Sequence, residues 1–220
     1  MAAARDSGVD CPLSFPALEQ AIRDAGLEEL PEAAAGKFHL YLDLLLKWNS
    51  RLNLTAIRDR ESILRRHFVE CIQCAQALPV TGTGATLLDF GSGAGLPGIP
   101  IAICRPELEV TLAESQRKKS AFLREAVRSL DLHAEVFDGR VEDTDPQRAF
   151  DFVTLRAVDK MDEACRSGFA RVRVGGWIVV FTTERSRIGL AGALPDVDWE
   201  TRLKSFGMDQ GIIAMGKRPV

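Results

Sequence analysis

The chain has 220 residues, 46% of them hydrophobic, with a formal net charge of −3 and five cysteines. That length supplies one α/β core with a short appendage rather than two large domains, and an odd, scattered set of cysteines excludes a disulfide framework and fits a reducing compartment. The acidic balance argues against a free-standing nucleic-acid binder, although Arg51, Arg58, Arg60, Arg65 and Arg66, and then Arg117, Lys118, Lys119, Arg124 and Arg128, offer two local basic stretches.

The first residues, Met1 to Gly8, lack the apolar core of a signal peptide, and no apolar run approaches the ~18 residues that span a bilayer. A cytoplasmic protein with no membrane segment is expected. Residues 15–26 and 32–50 carry helical patterns, the second with Phe38, Leu42, Leu45 and Leu46 on one side. After the polar connector Asn53-Leu54-Thr55, Asp59 can cap a third helix whose stripe of Ile63, Leu64, His67, Phe68, Cys71, Ile72, Ala75 and Leu78 ends near Pro79. These helices define an N-terminal extension, residues 1–80, joined by the flexible link Val80-Thr81-Gly82-Thr83-Gly84 to a core over 81–220. His67, Cys71 and Cys74 have spacings that would suit a metal. They lie inside the apolar stripe with no fourth ligand, so they read as packing, and no metal is expected.

From Leu87 onward strand patterns at 87–90, 109–113, 134–137, 150–155 and 176–181 alternate with helical ones at 98–104, 117–130 and 161–171, and Leu203 to Phe206 and Ile212 to Met215 offer last strands. This order predicts an α/β fold, a doubly wound, mostly parallel sheet covered on both faces. Ligands in such a sheet sit at the strands' carboxyl ends, where the strand order reverses.

The stretch Leu87-Leu88-Asp89-Phe90-Gly91-Ser92-Gly93-Ala94-Gly95-Leu96-Pro97-Gly98-Ile99-Pro100 organises the core: a buried strand, a glycine turn and the first turn of a helix, which together make a nucleotide cradle. A dinucleotide fingerprint starting at Gly91 would need glycine where Leu96 stands. What stands instead, Asp89-x-Gly91-x-Gly93-x-Gly95, resembles the first motif of S-adenosylmethionine-dependent methyltransferases. Glu114 closes the next strand at the offset where an acid takes a ribose hydroxyl pair, or it caps the following helix. Asp138-Gly139-Arg140-Val141-Glu142-Asp143 is either the loop beside the adenine or a solvated acidic turn. Arg156 ends the fourth strand, where it can pair with a methionine carboxylate, donate to the acceptor, or form an ion pair with Asp159 or Glu163.

Leu88 to Pro100 with Arg105-Pro106-Glu107, Trp48-Asn49-x-x-Leu52-Asn53-Leu54-Thr55-Ala56-Ile57, His67-Phe68-Val69-Glu70, Ser115 to Leu123, Arg140-Val141-Glu142 and Phe150-Asp151-x-Val153-x-x-Arg156-Ala157 are similar to the small-subunit ribosomal RNA guanine-N7 methyltransferase family, RsmG or glucose-inhibited division protein B. The resemblance covers about residues 38–181. It implies a class I S-adenosylmethionine-dependent methyltransferase fold with an N-terminal helical extension, S-adenosyl-L-methionine as cofactor, and 16S ribosomal RNA, within the small subunit, as partner of a monomer. Its cofactor contacts imply Gly91 and Leu96 in the glycine turn, Val141 and Glu142 at the adenine loop, and Arg156 near the methionine end. Gly93 and Glu114 complete the expected cofactor set, and Arg156 is the candidate for a catalytic role.

Three departures stand out. Phe181-Thr182-Thr183-Glu184 replaces a common Lys-Gly, Met208-Asp209-Gln210-Gly211-Ile212 lacks a usual arginine, and Glu70 stands where aspartate is usual. Guanine N7 offers its lone pair without losing a proton, so alignment and electrostatics suffice, in keeping with the lack of an evident catalytic base. A small-molecule methyltransferase and a non-catalytic cofactor-binding module remain the competing readings.

Overall fold

The computed structural model describes residues 15–80, 82–204 and 211–219. Strands β1 (Thr86–Phe90), β2 (Glu109–Glu114), β3 (Ala134–Asp138), β4 (Phe150–Arg156), β5 (Val172–Thr183), β6 (Trp199–Lys204) and β7 (Gly211–Lys217) form one seven-stranded sheet in the order β3-β2-β1-β4-β5-β7-β6. The β1–β2, β2–β3, β1–β4 and β4–β5 pairs are parallel, and β7 lies antiparallel between β5 and β6. Successive strands step one way from β1 to β3 and the other way from β4, so the order reverses between β1 and β4. That crevice is where an open α/β sheet receives its ligand.

Alternation along the strands divides the core. Leu87, Val110, Phe152 and Val179 pack on the face covered by α5 (Gly98–Cys104) and α6 (Arg117–Ser129). Leu88, Val153, Val180 and Ala214 pack on the opposite face against α7 (Met161–Ala170) and α8 (Glu184–Ala193). Both faces are apolar because both are covered.

The N-terminal helices are α1 (Phe15–Asp24), α2 (Glu32–Leu52), α3 (Arg60–Ile63) and α4 (Val69–Ala77). Their apolar faces join the first core: Phe38, Tyr41, Leu45, Phe68 and Ile72 belong to the same buried cluster as Leu87 and Phe122. Tyr41 stacks on Phe68 with ring centroids 5.1 Å apart. Helix α2 runs along α6, with Trp48 Nε1 donating to Glu125 at 3.2 Å and Lys37 Nζ to the Asp131 carbonyl at 2.9 Å.

The structure differs from the sequence expectation in four places. The third helix is broken by a π segment, Leu64–Phe68, in which the Val69 amide bonds the Leu64 carbonyl five residues back. β5 begins at Val172 because the strand runs through Gly175, which has a φ of 77°. Helix α8 was not foreseen; Thr183, in the Phe181-Thr182-Thr183-Glu184 departure, accepts a 3.2 Å bond from the Ser186 amide and caps it. The penultimate strand spans Trp199–Lys204 rather than Leu203 to Phe206, and residues 205 and 206 lie outside the described residues, as do Met1 to Gly8, Thr81 and Met208 to Gln210.

Candidate cofactor and acceptor site

The glycine turn leaves β1 at the switch point. Gly91, Gly93 and Gly95 have φ values of 69°, 55° and 83°, a region that side-chain-bearing residues rarely adopt. They do different jobs. A Cβ on Gly91 would meet the Val158 side chain at 3.6 Å and one on Gly93 the Gly91 carbonyl at 3.7 Å, ordinary contacts, so at these two positions it is the backbone conformation rather than crowding that calls for glycine. A Cβ on Gly95 would overlap Ile99, and one on Gly98 would overlap Leu112 and Asp89, so these two let α5 seat closely against the sheet.

Beneath the turn, Asp89 accepts from Thr154 Oγ1 at 2.8 Å and from the Gly98 amide at 3.2 Å, tying β1, β4 and the start of α5 together. Burial pushes its carboxyl up to about 6, against the lowering effect of these bonds and those of Ser92. From the other side Tyr41 donates a 2.6 Å hydrogen bond to the Ala94 carbonyl.

Glu114, at the end of β2, accepts from the Gly93 amide at 2.9 Å and from the Gln116 amide at 2.7 Å. Gln116 is the N-cap residue of α6, so this second bond ties Glu114 to the start of that helix. Each carboxylate oxygen keeps further lone-pair capacity, enough for a ribose diol alongside these amides.

Phe90, Gly91, Ala113, Val141 and Ala164 are among the walls of an open cavity of about 460 Å³ at the carboxyl ends of β1 to β4, with Arg140, Glu142, Lys160 and Glu163 at its polar parts. Val141 is buried in the 3-10 turn Val141–Asp143, and Ser167 Oγ donates to Glu142 Oε1 at 2.7 Å. Of the seven sequence-predicted residues, Gly91, Val141 and Glu142 line this cavity, and Gly93 and Glu114 are bonded to each other beside it. Leu96 is buried in the core on the far side of the turn, its amide donating to the Ser92 carbonyl at 3.3 Å.

Arg156 points elsewhere. Its guanidinium pairs with Glu70 at 2.5 Å, donates to Cys71 Sγ at 3.1 Å, to the Arg66 carbonyl at 3.3 Å and to His67 Nδ1 at 3.0 Å, and lies over the Phe181 ring. Its partner is thus on α4 rather than Asp159 or Glu163, and Glu163 instead takes Lys160. Because Arg156 donates to Nδ1, the His67 proton sits on Nε2, which is 2.8 Å from Thr55 Oγ1. Asn49 completes the connection: its side chain accepts from the Thr55 amide at 2.9 Å and donates to the Ile57 carbonyl at 3.1 Å. Burial and the neighbouring Arg156 charge push His67 down to about 4, and burial pushes the Cys71 thiol up to about 12. Cys71 and Cys74 are buried in the core.

Sequence reasoning missed Tyr41 and Val158. Val158 stands over Gly91, two residues beyond β4, where the switch-point rule would have placed a ligand-facing residue. Tyr41 reads as one more apolar position of α2, and nothing in its spacing marks the bond to Ala94.

A reversal between β1 and β4, a turn of open glycines and an acid at the end of the adjoining strand define a class I methyltransferase with a Rossmann-like core. The profile of the family described as GidB, rRNA small subunit methyltransferase G, matches residues 34–197. Ribosomal RNA small subunit methyltransferase G of Xanthomonas euvesicatoria is 43% identical over 150 residues, 68% of this chain and 69% of its own, and that of Methylobacillus flagellatus is 43% identical over 145 residues, 66% and 68%. TYW2 of M. jannaschii, solved in complex with AdoMet, superposes with a TM-score of 0.55 at 16% identity over 70% of this chain and 75% of its own, a likeness of fold.

This chain belongs to the rRNA small subunit methyltransferase G family. Its cofactor is S-adenosylmethionine. The residues present fit that group: Gly91 on the cavity wall, where the backbone carries no side chain, the Glu114 carboxylate for the ribose, and apolar walls from Phe90 and Val141 for the base.

Proposed function

We propose that this protein methylates N7 of a guanine in small-subunit ribosomal RNA. Family membership carries the ribosomal RNA methyltransferase activity. The choice of N7 is supported by the family resemblance and by the chemistry it requires. When bound, S-adenosylmethionine would supply an electrophilic methyl on a sulfonium; a purine nitrogen with a free in-plane lone pair could take that methyl, with S-adenosylhomocysteine as the leaving group, without first losing a proton.

The chain's own residues then have to align rather than deprotonate. Gly91 and Gly93 give the cofactor backbone-close access, Glu114 takes the ribose, and Val141 and Glu142 take the base. The turn is held from below by Asp89 and from the helical side by Tyr41. Arg156, paired with Glu70, acts from outside the cavity by holding α4 against the end of β4. Leu96 acts through its place under the turn.

The observation that carries this reading is the open cavity at the β1/β4 reversal, bordered by Gly91 and by the 139–142 loop, in a chain of this family. Among the described residues, 15–80 serve as a helical extension fused to the sheet domain that begins at β1, and the protein acts as a monomer on the small subunit in the cytoplasm; among the described residues no helix is long and apolar enough to cross a membrane. Incubation with labelled S-adenosylmethionine and, in separate reactions, small subunits, naked RNA and small metabolites tests the proposal. Label at guanine N7 of the RNA is expected. Label on metabolites alone, or on none of the three, overturns it.

A further inference from the structure

Arg171 directly follows α7, is 9% exposed, and plays no part in the scheme above. Its guanidinium meets backbone carbonyls: Nη1 donates to Asp145 O at 2.7 Å, and Nη2 to Val141 O at 3.2 Å, with Thr144 O at 3.4 Å and Glu142 O at 3.5 Å. Four carbonyls of one short segment thus converge on one cation. A planar fork of five donors can hold several acceptors together, which a lysine ammonium does less well.

The clamp is itself anchored. The Arg171 carbonyl accepts from the Phe150 amide at 2.8 Å, and the Arg171 amide donates to the Gly168 carbonyl at 2.9 Å, so its backbone is tied both to β4 and to α7. Thr144 Oγ1 adds a 2.6 Å bond to the Val141 carbonyl. The segment so held is continuous with the part that lines the cavity, Gly139 to Glu142. A peptide unit is planar, so fixing the Val141 carbonyl also fixes the amide of Glu142, and fixing the Glu142 carbonyl fixes that of Asp143.

Desolvating a cation is costly, and a loop needs no charge to make a turn. We propose that Arg171 is a positioning residue that sets adenine selectivity, by clamping the 141–145 carbonyls so that the base-facing edge of the loop is rigid. The inference rests on the reading of the cavity as the adenosine site. Arg171 touches no ligand; it acts through Val141 and Glu142.

The test compares wild type, Arg171→Lys and Arg171→Met in calorimetric binding of S-adenosylhomocysteine and of S-inosylhomocysteine, whose base has a carbonyl in place of the 6-amino group and a hydrogen on N1, so that donor and acceptor are exchanged on the base edge. Methyl transfer at saturating donor is measured alongside. The preference for the adenine ligand should fall about tenfold in Arg171→Met, the scale on which groups that orient ligating ones act, and less in Arg171→Lys. KM for the donor should rise with it while kcat and KM for RNA stay within twofold. A general loss of stability would weaken both ligands alike and leave the preference unchanged. If Arg171→Met does not fold, Arg171→Lys decides, read by its selectivity and by faster amide exchange confined to 141–145. Wild-type selectivity in the variants, with exchange unchanged, overturns the proposal alone. Wild-type protein that binds neither ligand overturns the adenosine-site reading and the proposal with it.

Discussion

The Tyr41 hydroxyl donates to the Ala94 carbonyl across 2.6 Å, so a helix outside the sheet holds the turn that follows its first strand. The contact is buried, and the same environment pushes the Tyr41 phenol far above its usual range, first through desolvation. It stays a neutral donor. Tyr41→Phe keeps the ring on Phe68 but leaves the Ala94 carbonyl without that donor. A loss of about 1–3 kcal/mol in urea unfolding is expected, with weaker binding of S-adenosylhomocysteine. Unchanged binding would separate α2 from the cradle.

The glycines of the turn should respond in opposite ways. At Gly91 a Cβ would make only an ordinary contact with Val158, so Gly91→Arg carries the left-handed backbone penalty of about 1–2 kcal/mol and places a long side chain at the cavity wall that Gly91 and Val158 share. The variant should fold and fail to bind cofactor in calorimetry. At Gly95 the Cβ would overlap Ile99, so Gly95→Ala should lose stability first. A Gly91→Arg protein with wild-type affinity would refute the cradle assignment.

The alternation of strands and helices was legible because both faces of the sheet are covered and its central strands β1 and β4 are buried through their middles, with runs such as Leu87-Leu88 and Phe152-Val153 that face both layers. Helix α8 was not, because Gly189, Gly192 and an exposed Ile188 blur its stripe, and its start is set by the Thr183 cap. Asp89-x-Gly91-x-Gly93-x-Gly95 marked the turn from its residues alone. The partners of Arg156 could not be read that way: position at the end of β4 pointed it to the crevice, whereas Glu70, Cys71 and His67 approach from a helix some ninety residues earlier in the chain. Arg171 is invisible in sequence for a related reason, since its partners are carbonyls, which every residue has.

Two buried groups give opposed pH responses. His67 is pushed down to about 4 in the fold, so the unfolded chain binds its proton first, and the stability His67 contributes above 6.5 is lost as pH falls toward 4. Asp89 is pushed up to about 6, so the folded state binds its proton first, and stability is gained as pH falls from 6 to about 4. Each effect is on the order of 3 kcal/mol, and they largely cancel. His67→Gln should therefore become more stable between pH 6 and 4, and Asp89→Asn less stable, in denaturant titrations at stepped pH. Parallel slopes in the two variants would contradict this balance.

Arg156→Ala is expected to act on the fold as strongly as on catalysis. The guanidinium and Glu70 are both buried, with side chains 10% and 5% exposed, and removing one leaves the other charge without its partner. The cost of breaking such a pair is about 3–5 kcal/mol. Replacing both, as Arg156→Met with Glu70→Leu, removes the stranded charge and should recover much of that loss. The double variant then isolates the functional part. If its melting temperature returns while methyl transfer stays low, Arg156 contributes charge or geometry to the methionine end; if activity returns as well, the residue serves to seat α4 against β4.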